Sequence, residues 1–216
     1  MGVRKRLTMK QKDVVIFDLG GVLIDWNPRY LYRKIFTTEE EITWFLENVC
    51  TSEWNERQDG GRSFEEATHE LISRFPDHAP AIHAWYSRWE ETIGGPIAGT
   101  VDVLRALRDQ RKHRLYALTN WSAETFPWAR QNFDFLQWFE GIVVSGEEKT
   151  LKPHPEFYRI LLDRYRVHPA TAVFIDDNPK NVEGARAVGI DGIHFRSPEQ
   201  LRAELAERGI LGGLQD

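Results

Sequence analysis

The sequence predicts an α/β protein: a parallel sheet with helices on both faces and a small helical bundle inserted behind the first strand. Three observations carry this. Short apolar runs recur along the chain, each stopped by polar residues; helical periodicities separate the later runs; and the stretch from about Asn27 to Thr92 holds helical patterns without a clear strand pattern.

The first run, Asp13 to Phe17 (DVVIF), reads as a buried strand stopped by Asp18 and the Gly20-Gly21 pair. The insertion follows. Its helices are signalled by Thr38-x-x-Glu41 with Ile42, Phe45, Leu46 and Val49, by Ser63-x-x-Glu66 with Phe64, Ala67, Leu71 and Ile72, and by Ile82, Trp85, Tyr86 and Trp89. Gly94-Gly95-Pro96 is the natural return hinge, so residues 26–93 form the insertion and residues 10–25 with 94–216 the core. In the core, Val103, Leu104 and Leu107 mark a helix before the strand Leu115 to Leu118, which ends at Thr119-Asn120. Ile142 to Val144 ends at Ser145-Gly146. Phe157, Ile160 and Leu161 mark the next helix, and Val173 to Ile175 ends at Asp176-Asp177, followed by a helix up to Gly189. A last strand, GIHF, leads to a helix capped by Ser197 with Gln200 completing a capping box. In a parallel sheet ligands bind beyond the carboxyl ends of the strands, which is where the polar residues gather.

Composition narrows the function classes. The 216 residues suffice for a core plus an insertion. Lys and Arg number 28 against 33 Asp and Glu, and a net charge of −5 offers no basic field to gather nucleic acid. The basic opening MGVRKRLTMK lacks the apolar run of a signal peptide, and no stretch approaches the roughly 18 apolar residues of a membrane span, so a cytoplasmic location is expected. With Cys50 as its one cysteine the chain has neither an internal disulfide nor a cysteine-rich metal site. Oligomeric state is not legible.

If the first and fourth strands are neighbours, Asp18, Asp176 and Asp177 share one crevice, where like charges resist joint ionisation unless a cation joins them. The donors are hard oxygens, which suit Mg²⁺, and an acidic metal site suits a small phosphorylated substrate. Thr119 offers a hydroxyl, Asn120 and Trp121 offer backbone N–H groups, and Lys152 offers a cation for developing negative charge. Asp18 is then placed to attack as a carboxylate nucleophile.

FDLGGVLID, LTN, the lysine of KPHPEFY and FIDDNPKNVEGA, in this order and spacing, resemble the four motifs of the haloacid dehalogenase-like hydrolase superfamily. The resemblance spans Asp13 to about Phe195. It implies a Rossmann-like core with strand order 5-4-1-2-3 and a helical cap after the first strand. It also implies Asp18 as nucleophile, Thr119 and Lys152 holding the phosphoryl group, and Mg²⁺ on Asp18, Asp177 and the Gly20 carbonyl, with Asp176 contributing directly or through its neighbours.

Gly20 departs from the usual pattern, which has an aspartate there to protonate the leaving oxygen; Asp25 is the nearby candidate to replace it. Some members with glycine at this position, beginning FDLGNV, resemble sugar-phosphate phosphatases, including ones acting on glucose 1-phosphate. The expectation is therefore a Mg²⁺-dependent phosphatase of small metabolites, sugar phosphates among them, working through an aspartyl-phosphate. Its rivals are a 2-haloacid dehalogenase and a phosphate-binding protein without turnover. Trp26 and Trp121, close behind motifs one and two, are candidate pocket walls; Trp54 and Arg57 lie in SEWNERQDGGRS, whose Gly60-Gly61 loop is placed to meet the rest of the substrate. Trp44, Trp85 and Trp89 read as packing, Asn178 and Asn181 as loop-shaping and capping residues, and His154 as a loop residue.

Overall fold

The computed structural model describes residues 12–212; the basic opening segment and residues 213–216 lie outside them. The strands are β1 (Val14–Phe17), β2 (Ile24–Trp26), β3 (Ile93–Pro96), β4 (Arg114–Thr119), β5 (Gly141–Val144), β6 (Ala172–Asp176) and β7 (Asp191–His194). Five of them form a parallel sheet in the order β5-β4-β1-β6-β7. Counting those five alone, this is the expected 5-4-1-2-3 read from the β7 edge. The numerals differ because β2 and β3 pair with each other as a separate antiparallel ribbon.

That ribbon is missing from the sequence reading. Its strands are three and four residues long, and Gly94-Gly95-Pro96 carries no alternating apolar face, so the pattern that betrays a strand is absent. It sits where the chain enters and leaves the insertion.

β1 is apolar throughout because the sheet is covered on both sides. Val15 and Phe17 point into one core with Val103, Leu104, Leu107, Leu201 and Leu205; Val14 and Ile16 point into the other with Phe157, Tyr158, Leu161 and Ala185. The register pairs Phe17 with Ala117 and Ile175. The Asp18 N–H then donates to Ile175 O at 2.8 Å, so Asp18 leaves the sheet level with Asp176.

The insertion contains α1 (Arg29–Tyr32), α2 (Glu39–Asn48), α3 (Ser52–Asp59), α4 (Phe64–Arg74) and α5 (Ala79–Ser87). Side chains cap the middle three. Thr38 and Glu41 form the expected reciprocal box, Thr51 accepts from Trp54 N, and Ser63 accepts from Glu66 N. Leu31, Tyr32, Ile42, Phe45, Trp54, Leu71, Ile82 and Trp85 build a third apolar core of their own. Trp44 is outside it. It is 48% exposed and lies against the His78 ring at 5.3 Å, because Ile42 and Phe45 define the buried face of α2 and position 44 turns away from it. Trp85 and Trp89 are buried as expected, Trp89 in the core of the sheet domain against Trp121 and Trp128.

The remaining helices are α6 (Ala98–Gln110), α7 (Phe126–Asn132), α8 (Ser145–Glu148), α9 (Pro155–Arg164), α10 (Pro179–Ala187) and α11 (Pro198–Glu207). Ser197 caps α11 by accepting from Gln200 N; the returning arm of Gln200 reaches Arg196 N rather than the cap residue itself.

Candidate active site

Four strand ends meet at one edge of the sheet. Asp18, Asp176 and Asp177 each place a carboxylate oxygen within 4.8 Å of the others. Lys152, with a fully buried side chain, donates to Asp18 Oδ2 at 2.8 Å and to Asp176 Oδ2 at 2.7 Å. Asp176 is held further by Asn178 N–H on Oδ1 at 2.8 Å and by Asn181 Nδ2, 3.1 and 3.2 Å from its two oxygens. Asn178 also caps α10, the task expected of it. Asn120 staples the β4 loop to the Lys152 loop through both arms of its amide: Oδ1 accepts from Lys152 N at 2.9 Å, and Nδ2 donates to Lys152 O at 3.0 Å. Its side chain thus sets the height of the lysine.

Burial pushes the Asp18 carboxyl well above its ordinary range; Lys152 opposes that shift, and Asp176 and Asp177 reinforce it. Asp177, at the outer side of the cluster, is raised first by lost hydration and then by Asp176. Burial alone would lower Lys152, yet Asp176 and Asp18 more than offset it and hold the ammonium protonated. A cluster of acids that resists full ionisation beside one cation calls for further positive charge. The oxygens present fit a hard dication such as Mg²⁺. The loop after β1 is shaped to match. Gly21 has φ +72°, and a Cβ there would run into the Asp177 carboxylate.

The Thr119 hydroxyl is buried with no hydrogen-bond partner among the described residues. Such an atom costs free energy while it stays unpaired and is available to a ligand oxygen. The Trp121 N–H, by contrast, is taken by Ser145 Oγ at 2.9 Å, so this expected phosphate donor is already engaged.

Above the strand ends lies a cavity of about 390 Å³ between sheet and insertion. Asp18, Gly20, Asp177, Asn120, Trp121 and Trp26 line it. Arg57 does not. It pairs with Glu53 at 3.4 Å on the solvent face of α3, while Ser52, Asn55, Glu56 and Asp59 on the same helix face the cavity. Trp54 packs edge-on to Trp85 inside the insertion. Asp25 is also turned aside: its Oδ2 accepts from the Tyr30 hydroxyl at 2.7 Å, and it is not among the cavity walls.

Comparison with known proteins agrees with this geometry. A family model described as haloacid dehalogenase-like hydrolase matches residues 12–189. The chain belongs to the haloacid dehalogenase-like hydrolases. Over 182 residues, 83% of this hydrolase and 88% of its relative, it is 31% identical to a sesquiterpene phosphatase of Aspergillus oryzae. It is 24% identical to a phosphorylated carbohydrates phosphatase of Thermotoga maritima over 84% of each chain. Its fold matches that of a HAD family enzyme from Bacteroides thetaiotaomicron solved with magnesium and inorganic phosphate, with a TM-score of 0.64 and 21% identity over 86% of this chain and 95% of the other.

Two groups of this haloacid dehalogenase-like hydrolase escaped the sequence reading. Asp59 ends α3 over the cavity, with Asn55 Nδ2 donating to its Oδ2 at 3.1 Å and its own carbonyl accepting from Ser145 Oγ at 2.5 Å. The aromatic wall is wider than expected: Phe64 and Tyr86 stack at 3.6 Å and join Trp26, Trp89 and Trp121 around the cavity. Ser63-x-x-Glu66 announced the helix that carries Phe64. Phe64 was read as part of that helix's apolar pattern; what the sequence did not announce is that it faces the cavity.

Proposed function

We propose that this hydrolase is a Mg²⁺-dependent phosphatase of small organic monoesters in which Asp18 is the nucleophile. The observation that carries the reading is the meeting of three carboxylates with Lys152 at one sheet edge. Asp18, Asp177 and the Gly20 carbonyl are the residues to hold the ion, with Asp176 fixed behind them by Lys152 and Asn181. When bound, Mg²⁺ neutralises the carboxylates and the phosphoryl oxygens. An Asp18 oxygen attacks phosphorus, the bond to the ester oxygen breaks, and water later cleaves the acyl phosphate to free Asp18. Thr119 donates to a phosphoryl oxygen, and Lys152 balances its charge. The insertion acts as a cap that selects the leaving group.

Trp26, Phe64, Tyr86, Trp89 and Trp121 favour a leaving group with a broad apolar face over a wholly hydrophilic one. The sesquiterpene phosphatase relative supports this side of the reading more strongly than the carbohydrate relative does. Dehalogenation fits less well, since a site that handles no metal has no use for three mutually repelling carboxylates.

The test is phosphate release from farnesyl monophosphate, glucose 1-phosphate and p-nitrophenyl phosphate with Mg²⁺ or EDTA, beside chloride release from 2-chloropropionate. Mg²⁺-dependent phosphate release, abolished in Asp18→Asn and with the higher kcat/KM on the prenyl ester, is expected. Chloride release insensitive to EDTA would establish the dehalogenase instead.

A further inference from the structure

The phosphatase chemistry needs a proton for the departing alkoxide, and Gly20 supplies none. Space is left where that acid would sit: a Cβ on Gly20 would meet nothing within 4 Å. Asp25 is bound to Tyr30, and Glu56, which also faces the cavity, is exposed. Asp59 differs from both. Its backbone is tied by Ser145 Oγ to the same hydroxyl that receives the Trp121 N–H, so the end of α3 is anchored to the loop that follows Thr119. Its side chain is steadied by Asn55 and faces the cavity shared with Asp18 and Gly20.

We infer that Asp59, delivered by the helical insertion, donates the proton to the leaving oxygen and later takes one from the attacking water. The inference rests on the phosphatase reading. In the first step the Asp18 oxygen bonds to phosphorus, the phosphorus–ester oxygen bond breaks with its electron pair on oxygen, and that oxygen takes the Asp59 proton. In the second, water attacks phosphorus, its proton passes to the Asp59 carboxylate, and the bond to Asp18 breaks. Both residues return to their starting states.

The environment suits this use. Loss of hydration pushes the Asp59 carboxyl up to about 7, with Glu56 adding to the rise and a Ser122 backbone hydrogen bond and Lys152 opposing it. Tyr86, across the cavity, feels the Asp59 charge in turn. An acid so poised is part protonated at neutral pH and able to work in both directions.

The test compares wild type, Asp59→Asn and the double variant Gly20→Asp/Asp59→Asn, with Mg²⁺, on an alkyl monoester and on p-nitrophenyl phosphate, whose anion leaves without a proton. On the alkyl ester, Asp59→Asn is expected to lower kcat/KM by about 10²–10⁴-fold and to remove the fall in rate above about pH 7, with far less loss on the nitrophenyl ester. The double variant is expected to regain at least about tenfold on the alkyl ester, since the new acid has room and reaches the same oxygen. Equal losses on the two esters with an unchanged pH limb, in a variant whose circular dichroism matches wild type, would overturn the assignment while leaving the phosphatase intact. A wild type that releases no phosphate from either ester would overturn the phosphatase reading and this assignment with it.

Discussion

Lys152 Nζ lies 2.8 Å from Asp18 Oδ2, with the lysine side chain sealed from solvent. The pair matters because neither charge would survive there alone. Lys152 is raised above its ordinary value, so its stabilising contribution is complete below about pH 10.5 and disappears only as the pH climbs through the higher folded value. Lys152→Met therefore removes the buried countercharge of Asp18 and Asp176 at every ordinary pH and is expected to destabilise the fold by about 3–5 kcal/mol, a drop in Tm readable by thermal circular dichroism. Turnover should vanish with it.

Thr119 is expected to behave in the opposite sense. Its hydroxyl is buried and unpaired among the described residues, a condition that costs about 1–3 kcal/mol. Thr119→Val keeps the shape and removes that cost, so Tm should hold or rise while inorganic phosphate binds more weakly and kcat/KM falls. Calorimetric titration with phosphate in the presence of Mg²⁺, beside a melting curve, separates the two effects. A fall in both would mean that the hydroxyl has a structural partner.

Gly20 and Gly21 are adjacent and unequal. Gly20→Ala meets open space and should change stability by no more than about 0.5 kcal/mol. Gly21→Ala faces a left-handed backbone, which costs an alanine about 1–2 kcal/mol, and its Cβ would displace Asp177. A marked loss of Mg²⁺ affinity in the second variant and none in the first is the expected result of titration calorimetry.

Asp59 also predicts a trade between stability and activity. Its folded value of about 7 stands above the unfolded 3.8, so this group favours the fold most below about pH 4, and the benefit is lost as the pH rises through 7. Asp59→Asn carries no charge to bury. At pH 8 it should be more stable than wild type by on the order of 4 kcal/mol at most, the gap closing toward pH 4. Urea titrations at the two pH values check it.

The chain on its own determined the sheet and the contents of its edge. Asp18, Thr119, Asp176 and Asp177 were legible because each closes an apolar run, and a parallel sheet lines up such endings whatever lies between; Lys152, which sits in a loop beyond its strand, was legible through the motif KPHPEFY. Thr38 and Glu41 were legible for a similar reason, since a cap is settled within one turn of chain. Tertiary structure alone decided which helical face looks inward. The spacing of Trp44 and Arg57 is compatible with either side of their helices, and packing turned both to solvent. Asp59 gained its place only when the end of α3 met Ser145, 86 positions along the chain, because burial and anchoring are properties of the assembled surface and leave no mark on the residues around it.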